Sequence, residues 1–349
     1  MRYIGSKALM LDNILSVINK YAQDVNMITD IFAGTGIVSR FFKQHGYSVL
    51  SNDILYLSYV LNKGVLEMNA PVSPRLHEII SHLNNLSVEN SPWFDIETAF
   101  IYQNYSPHDG CDRMYFQCNN ALKIDLIRQE IERLRSEVED SEYYYLLSLL
   151  LNAVPYVSNI TGTYGAYLKY WDKRTFNELY LEVVDIKPSN VVCRCYNQNA
   201  TVLANQIESD LVYLDPPYNG RQYMPNYHIL ETIAKYDNPE IKGVTGVRID
   251  SNKMSDFCKK SCAKEAFRNL FNSLNCRYLL LSYNNEALLS TDVMSQLICE
   301  SGNPNTFRLF EHDYRRYKNK IPNNAEGLKE QLYFIEKKNG KISTELHRG

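Results

Sequence analysis

The chain has 349 residues, 45% of them hydrophobic, which is enough for two domains around a sizeable core. Its 37 basic and 40 acidic side chains leave a formal net charge of −3, which excludes a polyanion binder working through bulk charge; any nucleic-acid contact has to use a local field. Eight cysteines are scattered without a Cys-x-x-Cys pair, so no metal site and no disulfide framework is expected, and the pattern suits a reducing cytoplasm.

The amino end carries Arg2-Tyr3-Ile4-Gly5-Ser6-Lys7, a polar motif that argues against a signal peptide. A helix is predicted from about residue 7 to 21. Asn26-Met27-Ile28-Thr29-Asp30-Ile31-Phe32-Ala33-Gly34-Thr35-Gly36 then reads as a strand that enters a glycine turn. Residues 37–43 have helical apolar spacing, and a second strand, 47–51, ends at Asn52-Asp53. Strand, glycine turn, helix, strand and acid make the front half of a nucleotide-cofactor site. The glycines let a ligand approach the backbone, and Asp53 can accept two hydrogen bonds from a ribose diol. A nicotinamide or flavin site fits the same outline, as does a glycine turn that binds nothing. Against nicotinamide, no third glycine completes the pyrophosphate fingerprint. A cofactor with a ribose and no pyrophosphate, such as S-adenosylmethionine, fits better.

A helix at about 55–67 closes this first α/β segment. From 71 to 188 the alternation of strands and helices stops. This stretch carries Pro71, Pro74, Pro92 and Pro107, a charged helix at about 119–138 and a second helix at about 142–153. The apolar run 145–151 is too short to span a bilayer and reads as a buried helix. A loop-like segment, 156–165, follows. The block reads as an inserted, largely helical domain.

The strand pattern resumes at 190–196, where Cys193 and Cys195 would point to opposite faces. A short helix near 201–206 leads to the apolar run Leu211-Val212-Tyr213-Leu214, which ends in Asp215-Pro216-Pro217-Tyr218. A helix at about 226–236 comes next. The polar stretch 237–256, rich in glycine and lysine, reads as a mobile loop. Then come a helix at 261–274, a strand at 277–283, a helix near 286–300, and strands near 307–311 and 331–336. Basic residues cluster at Lys169, Lys173 and Arg174, at Lys253, Lys259, Lys260 and Lys264, and at Arg315, Arg316, Lys318 and Lys320. Solvated faces account for the individual lysines. The third cluster interleaves with Tyr314 and Tyr317, which favours contact with phosphates or bases.

The Asp215 turn carries the chemistry. Two adjacent prolines donate no backbone hydrogen bonds, so their carbonyls stay available on a stiff turn at the carboxyl end of a strand. Open α/β sheets place ligands there. An acceptor side chain, an acceptor carbonyl and a flat π-face within four residues match an exocyclic amino group on a planar heterocycle. A plain strand-ending turn is the alternative.

Taken together, these blocks resemble the adenine-specific DNA methyltransferases of the Dam-like, alpha-order class found in restriction–modification systems. The amino-terminal block, the segment Asp30–Gly36, and Asp215-Pro216-Pro217-Tyr218 extended by Asn219-Gly220-Arg221-Gln222-Tyr223 and Asn226-Tyr227-His228 carry the resemblance. Tyr164-Gly165-Ala166-Tyr167-Leu168-Lys169 and Ser282-Tyr283-Asn284-Asn285-Glu286 extend it, in the order that class shows. The resemblance implies an α/β, Rossmann-like, S-adenosylmethionine-dependent methyltransferase fold. Residues 1–70 and 189–349 would form a discontinuous catalytic domain, and 71–188 an inserted, mainly helical target-recognition domain.

It also implies roles. Asp215, Pro216, Pro217 and Tyr218 would hold a flipped adenine of double-stranded DNA. Tyr3, Lys7, Asp30, Phe32, Ala33, Gly34, Thr35, Gly36, Asp53 and Asp215 would surround the cofactor, with Asp30 meeting its amino group. Asn199 stands where many relatives carry an acid near the cofactor adenine. Arg2, Lys169, Arg221, Tyr223, Arg315, Arg316 and Lys318 are the candidate nucleic-acid contacts. A cognate restriction endonuclease acting separately, and a bacterial or archaeal cytoplasm, go with the class. Two other readings are a non-catalytic DNA-binding subunit on a methyltransferase scaffold, and an amino-methyltransferase acting on cytosine, RNA or protein. Related motifs of the latter more often begin with Ser or Asn, so Asp215 argues against it.

Overall fold

The computed structural model describes residues 7–220, 223–252, 255–313 and 327–337. In chain order the amino-terminal elements are α1 (Leu11–Tyr21), β1 (Met27–Asp30), α2 (Ile37–Gln44), β2 (Ser48–Asn52) and α3 (Tyr56–Leu66). A helical stretch follows, with α4 (Pro74–Asn85), α5 (Phe100–Tyr105), α6 (Cys118–Arg133) and α7 (Asp140–Ala153). Then come β3 (Cys193–Tyr196), α8 (Ala200–Ala204), β4 (Glu208–Leu214), α9 (Tyr223–Lys235), β5 (Ile241–Lys242) and β6 (Val247–Arg248). The last elements are α10 (Lys260–Ser273), β7 (Asn275–Asn284), α11 (Thr291–Ser301), β8 (Arg308–Asp313) and β9 (Lys329–Glu336).

The described residues fall into two compact units, one holding 55–190 and 223–252, the other 7–54, 191–220, 255–313 and 327–337. The second unit is built on a seven-stranded sheet in the order β3-β2-β1-β4-β7-β9-β8. The first five strands in that order are parallel; β9 runs antiparallel to β7, and β8 antiparallel to β9. Register is set by pairs such as Thr29 with Leu50 and with Val212. β4 and β7 are near-continuous runs of buried residues, as a parallel sheet covered on both faces requires. Phe267 and Phe271 of α10 and Met294 and Ile298 of α11 pack on Leu279 and Leu281. The strand order reverses between β1 and β4, and that reversal opens a ligand crevice at the carboxyl ends of these two strands. The fold is thus the α/β, Rossmann-like architecture expected from sequence.

The first unit is helical. Its core joins Val60 and Leu61 of α3 with Leu147, Leu150 and Leu151 of α7 and Leu230 and Ile233 of α9. At Gly64 a Cβ would overlap the Tyr144 carbonyl, so glycine is what lets α3 and α7 come together. Buried acids close helix starts: Glu231 accepts the Tyr56 and Leu57 amides at 3.1 and 2.8 Å, and Asp125 accepts those of Ile101 and Tyr102 at 3.0 and 2.8 Å. In this grouping α3, which the sequence division put with the catalytic segments, sits with the helical block.

Three elements differ from the sequence reading. The stretch 237–256 is not featureless: β5 and β6 pair as an antiparallel hairpin. Arg248 of that hairpin is buried and grips Asp237 with two bonds of 2.7 Å and Asp250 with two of 2.9 Å. Tyr105 and Tyr115 donate their hydroxyls to the Gly246 and Thr245 carbonyls, which ties the hairpin tip down. The helix read from about residue 7 starts at Leu11, after a turn in which the Met10 amide meets the Lys7 carbonyl. The helix read from 286 starts at Thr291, because the Ser290 hydroxyl caps the Val293 amide. No helix among the described residues is long and apolar enough to cross a membrane.

Candidate active site

β1 ends at Asp30, and the chain turns through Gly34 and Gly36, both with positive φ (54° and 75°), into α2. The Ala33 amide bonds to the Asn52 carbonyl at 2.9 Å, and the Gly34 amide to the Asp53 carboxylate at 2.9 Å. The turn is therefore pinned to the end of β2. Phe32 meets Phe257 edge-to-face at 5.3 Å, and Arg40 bonds the Thr35 carbonyl at 3.1 Å. Asp30 is buried, and one of its oxygens takes the Ser39 hydroxyl at 2.6 Å. The other, Oδ1, has no hydrogen-bond partner among the described residues. Burial pushes the Asp30 carboxyl up to about 7, against the Ser39 hydrogen bond and helped by the charges of Asp215 and Asp53.

Next to β1, β4 delivers Asp215 into the same crevice. The Lys7 ammonium, 2% exposed, lies 3.1 Å from Asp215 Oδ1 and 2.5 Å from Glu330 Oε1. The Ser282 hydroxyl donates to the same Glu330 oxygen at 2.7 Å. Lys7 also lies 5.1 Å from the centre of the Tyr218 ring. Tyr218 in turn stands edge-to-face on Tyr283 at 6.2 Å and accepts the Leu288 amide on its carbonyl at 3.1 Å. Burial would lower the Lys7 ammonium, but Asp215 and Glu330 together hold it well above the ordinary lysine value. Burial lifts the Asp215 carboxyl to about 7, and the Glu330 charge adds to this while Lys7 opposes it. The result is a buried, charged cluster whose carboxylate is poised near neutrality beside a stiff turn.

The structure brings Lys7, Asp30, Phe32, Ala33, Gly34, Thr35, Gly36, Asp53 and Asp215–Tyr218 into one unit. Asn199 lies in that unit too, exposed, with its side chain capping α8 through the Thr201 amide at 2.9 Å. Lys169, exposed, and Tyr223, half-buried at the start of α9, belong to the helical unit. Arg2, Tyr3, Arg221, Arg315, Arg316 and Lys318 lie outside the described residues. Two blocks noted in the sequence are joined in the helical unit: His228 Nε2 meets the Tyr164 carbonyl at 2.9 Å. Burial drops His228 to about 4, so it is a neutral donor there.

Sequence reasoning missed three residues. Asn52, buried, gives its amide to the Ile31 and Gln198 carbonyls, each at 3.1 Å, and accepts the Gln198 amide at 3.0 Å. It stitches the glycine turn to the turn before α8. Glu330 and Ser282 complete the Lys7 cluster. The sequence signal for Glu330 is faint, because it stands in the polar opening Lys329-Glu330-Gln331 of β9, just before the apolar run 332–335. Among the described residues no group of three His, Cys, Asp or Glu is placed to hold a metal ion.

Comparison with known proteins bears on this geometry. The family described as D12 class N6 adenine-specific DNA methyltransferase matches residues 3–297. The chain is 43% identical over 346 residues to the Type II methyltransferase M.FokI of Planomicrobium okeanokoites, covering 97% of this chain and 53% of that protein. It is 37% identical over 348 residues to the modification methylase StsI of Streptococcus sanguinis, covering 97% and 52%. With the Type II methyltransferase M.NlaIII of Neisseria lactamica the identity is 35% over 346 residues, covering 97% and 99%. The chain therefore spans about half the length of the first two relatives and nearly the whole of the third.

Proposed function

Because the chain belongs to the D12 class N6 adenine-specific DNA methyltransferases, we propose that it transfers a methyl group from S-adenosylmethionine to the exocyclic amino group of a flipped adenine in double-stranded DNA. The carrying observation is Asp215 at the strand-order reversal, ion-paired to a buried Lys7 and next to the glycine turn. The biological role that fits is the modification activity of a restriction–modification system, with an endonuclease as a separate partner. A bacterial or archaeal cytoplasm is the matching location.

The residues suit the cofactor. Asp30 Oδ1 is a buried acceptor without a hydrogen-bond partner among the described residues, at the start of the glycine turn, which is what the cofactor's ammonium would need. Gly34 and Gly36 keep the backbone open to close approach, with Phe32, Ala33 and Thr35 alongside. Asp53, at the end of β2, is the candidate for the ribose hydroxyls. Asn199 would meet the cofactor adenine through backbone or water, since its side chain is engaged as a cap. S-adenosylmethionine supplies a methyl group on a sulfonium, already a good leaving group.

The protein's task is then positioning. An adenine amino nitrogen is a poor nucleophile because its lone pair is delocalised into the ring. Asp215 and the Pro216 carbonyl accept its two N–H bonds, which favours a tetrahedral nitrogen with its lone pair aimed at the methyl group. Pro217 stiffens the turn. Tyr218 stacks on the flipped base and returns roughly 1–3 kcal/mol of the unstacking cost. Asp215 need not be a strong base, because the amine is acidic once methylated and sheds its proton then. The helical block 71–188 is the candidate target reader, with Lys169 and Tyr223 as contacts. Arg2, Arg221, Arg315, Arg316 and Lys318 are further candidates.

The test is to incubate the protein with unmethylated plasmid DNA and S-adenosylmethionine bearing a labelled methyl group, then digest to nucleosides. Label on the adenine amino group is expected. Label on cytosine, on RNA or on protein, or no transfer with cofactor binding intact, overturns the assignment.

A further inference from the structure

We infer that Glu330 is a positioning residue for methyl transfer: it draws the Lys7 ammonium onto its own carboxylate and so keeps the Asp215 carboxylate available to the substrate's amino group. This inference rests on the reading of Asp215 as the acceptor for that amino group. Glu330 sits on β9, 1% exposed, and is tied to Asp215 through the Lys7 ammonium that both carboxylates hold. Nothing in the stability of the sheet calls for a carboxylate there. Burying an ion pair generally gains little over an apolar pair of similar volume. The cluster has to be explained by what it does to Asp215.

Lys7 holds two carboxylates unequally, at 2.5 Å for Glu330 and 3.1 Å for Asp215. Attraction falls with distance, so the ammonium belongs first to Glu330. The Ser282 hydroxyl fixes that carboxylate in place at 2.7 Å. Without the Glu330 charge, Lys7 would close on Asp215 alone. A lysine-bound Asp215 would have its acceptor oxygen occupied and its electron density drawn away from the amino group. With Glu330 present, one positive charge is shared between two negative ones, and Asp215 keeps a net acceptor character in a buried site. The groups that act on Asp215 are Lys7 ahead of α1, Glu330 on β9, Asp30 at the end of β1 and the phenol of Tyr213, while Tyr218 acts on its partner Lys7. Of the carboxylates, Glu330 is the one that most directly raises the proton affinity of Asp215.

Single-turnover rates of methyl incorporation into plasmid DNA, at saturating cofactor and across pH, test this. Glu330→Gln keeps the shape and can still accept from Lys7 and Ser282. Its plateau rate should fall on the order of tenfold or more. The acid limb should move to lower pH by roughly one unit, because a neighbouring negative charge is gone. Cofactor affinity should change little. A merely structural role would lower the folded fraction without moving the limb. Glu330→Asp is the second variant: it keeps the charge but withdraws it, so the rate should drop while the limb stays in place. Asp215→Ala, run in parallel, separates the two levels. If it is inactive and both Glu330 variants match wild type in rate and limb, the Glu330 inference fails alone. If Asp215→Ala turns over like wild type, the reading beneath it fails.

Discussion

The Asp53 carboxylate accepts the Gly34 amide at 2.9 Å, so the acid at the end of β2 and the glycine turn after β1 form one hydrogen-bonded unit. Asp53→Ala removes both the proposed ribose acceptor and the anchor of the turn. Hydrogen bonds to charged groups are worth about 1.5–3 kcal/mol, so cofactor affinity should weaken by roughly tenfold or more. Isothermal titration with S-adenosylmethionine reads this directly. An unchanged dissociation constant would move the ribose site away from Asp53.

Asn52 is the second link in that unit. Its carboxamide joins the Ile31 and Gln198 carbonyls and the Gln198 amide inside the protein. Asn52→Ala leaves these groups without their partner, at a cost of about 1–3 kcal/mol for each that stays dry. Urea unfolding should show the loss, and cofactor affinity should weaken as the two turns drift. The single-turnover rate at saturating cofactor should stay within a few-fold of wild type. A variant as stable and as tight-binding as wild type would remove Asn52 from the site.

The pH dependence has a definite sign. Asp215 and Asp30 are both lifted to about 7, so their charged forms are disfavoured relative to ordinary carboxylates. The active carboxylates are present above that value and lost as pH falls through it. Methyl transfer by the wild-type protein should therefore decline below about pH 7, approaching tenfold per unit. Rates at saturating cofactor report Asp215, whereas cofactor affinity against pH reports Asp30. A flat rate at saturating cofactor from pH 5 to 8, with the protein still folded, would show that Asp215 does not titrate there, and a flat cofactor affinity would show the same of Asp30.

Gly64 tests the helical unit independently of the chemistry. Alanine normally favours a helix over glycine by about 1 kcal/mol. At this position the added methyl meets the Tyr144 backbone carbonyl, which has no flexible side chain to yield. Overpacking of that kind costs about 1–3 kcal/mol, so Gly64→Ala should lower the unfolding midpoint. A stabilised variant would show that α3 and α7 can separate without penalty.

What the sequence made legible was local. Asp30–Gly36 and Asp215–Tyr218 are contiguous motifs whose residue types state their chemistry, and the strands that carry them are short apolar runs. What stayed hidden was assembled from distant parts of the chain. Lys7 and Glu330 are 323 residues apart, and Asn52 and Gln198 are 146 apart. No periodicity or spacing joins such pairs; only the sheet order does. The stretch 237–256 misled for a related reason. Its composition is that of a loop, but one arginine, Arg248, is buried among two aspartates, and a buried arginine looks the same in sequence as an exposed one. Asn199 shows the converse, because its place in the chain suggested a ligand contact while its side chain serves a five-residue helix.

The pairing of Lys7 with Glu330 also sets an order of events during synthesis. A ribosome adding about 5–20 residues per second needs roughly a quarter of a minute to a minute to travel the 323 residues from one to the other. Throughout that interval Lys7 lacks the carboxylate that anchors it, and the strand that must carry this carboxylate has not been made. The charged centre thus closes only when β9, the last of the described strands in chain order, joins the sheet. A nascent chain that already displays the glycine turn and the Asp215 turn still lacks the carboxylate that holds the lysine beside them.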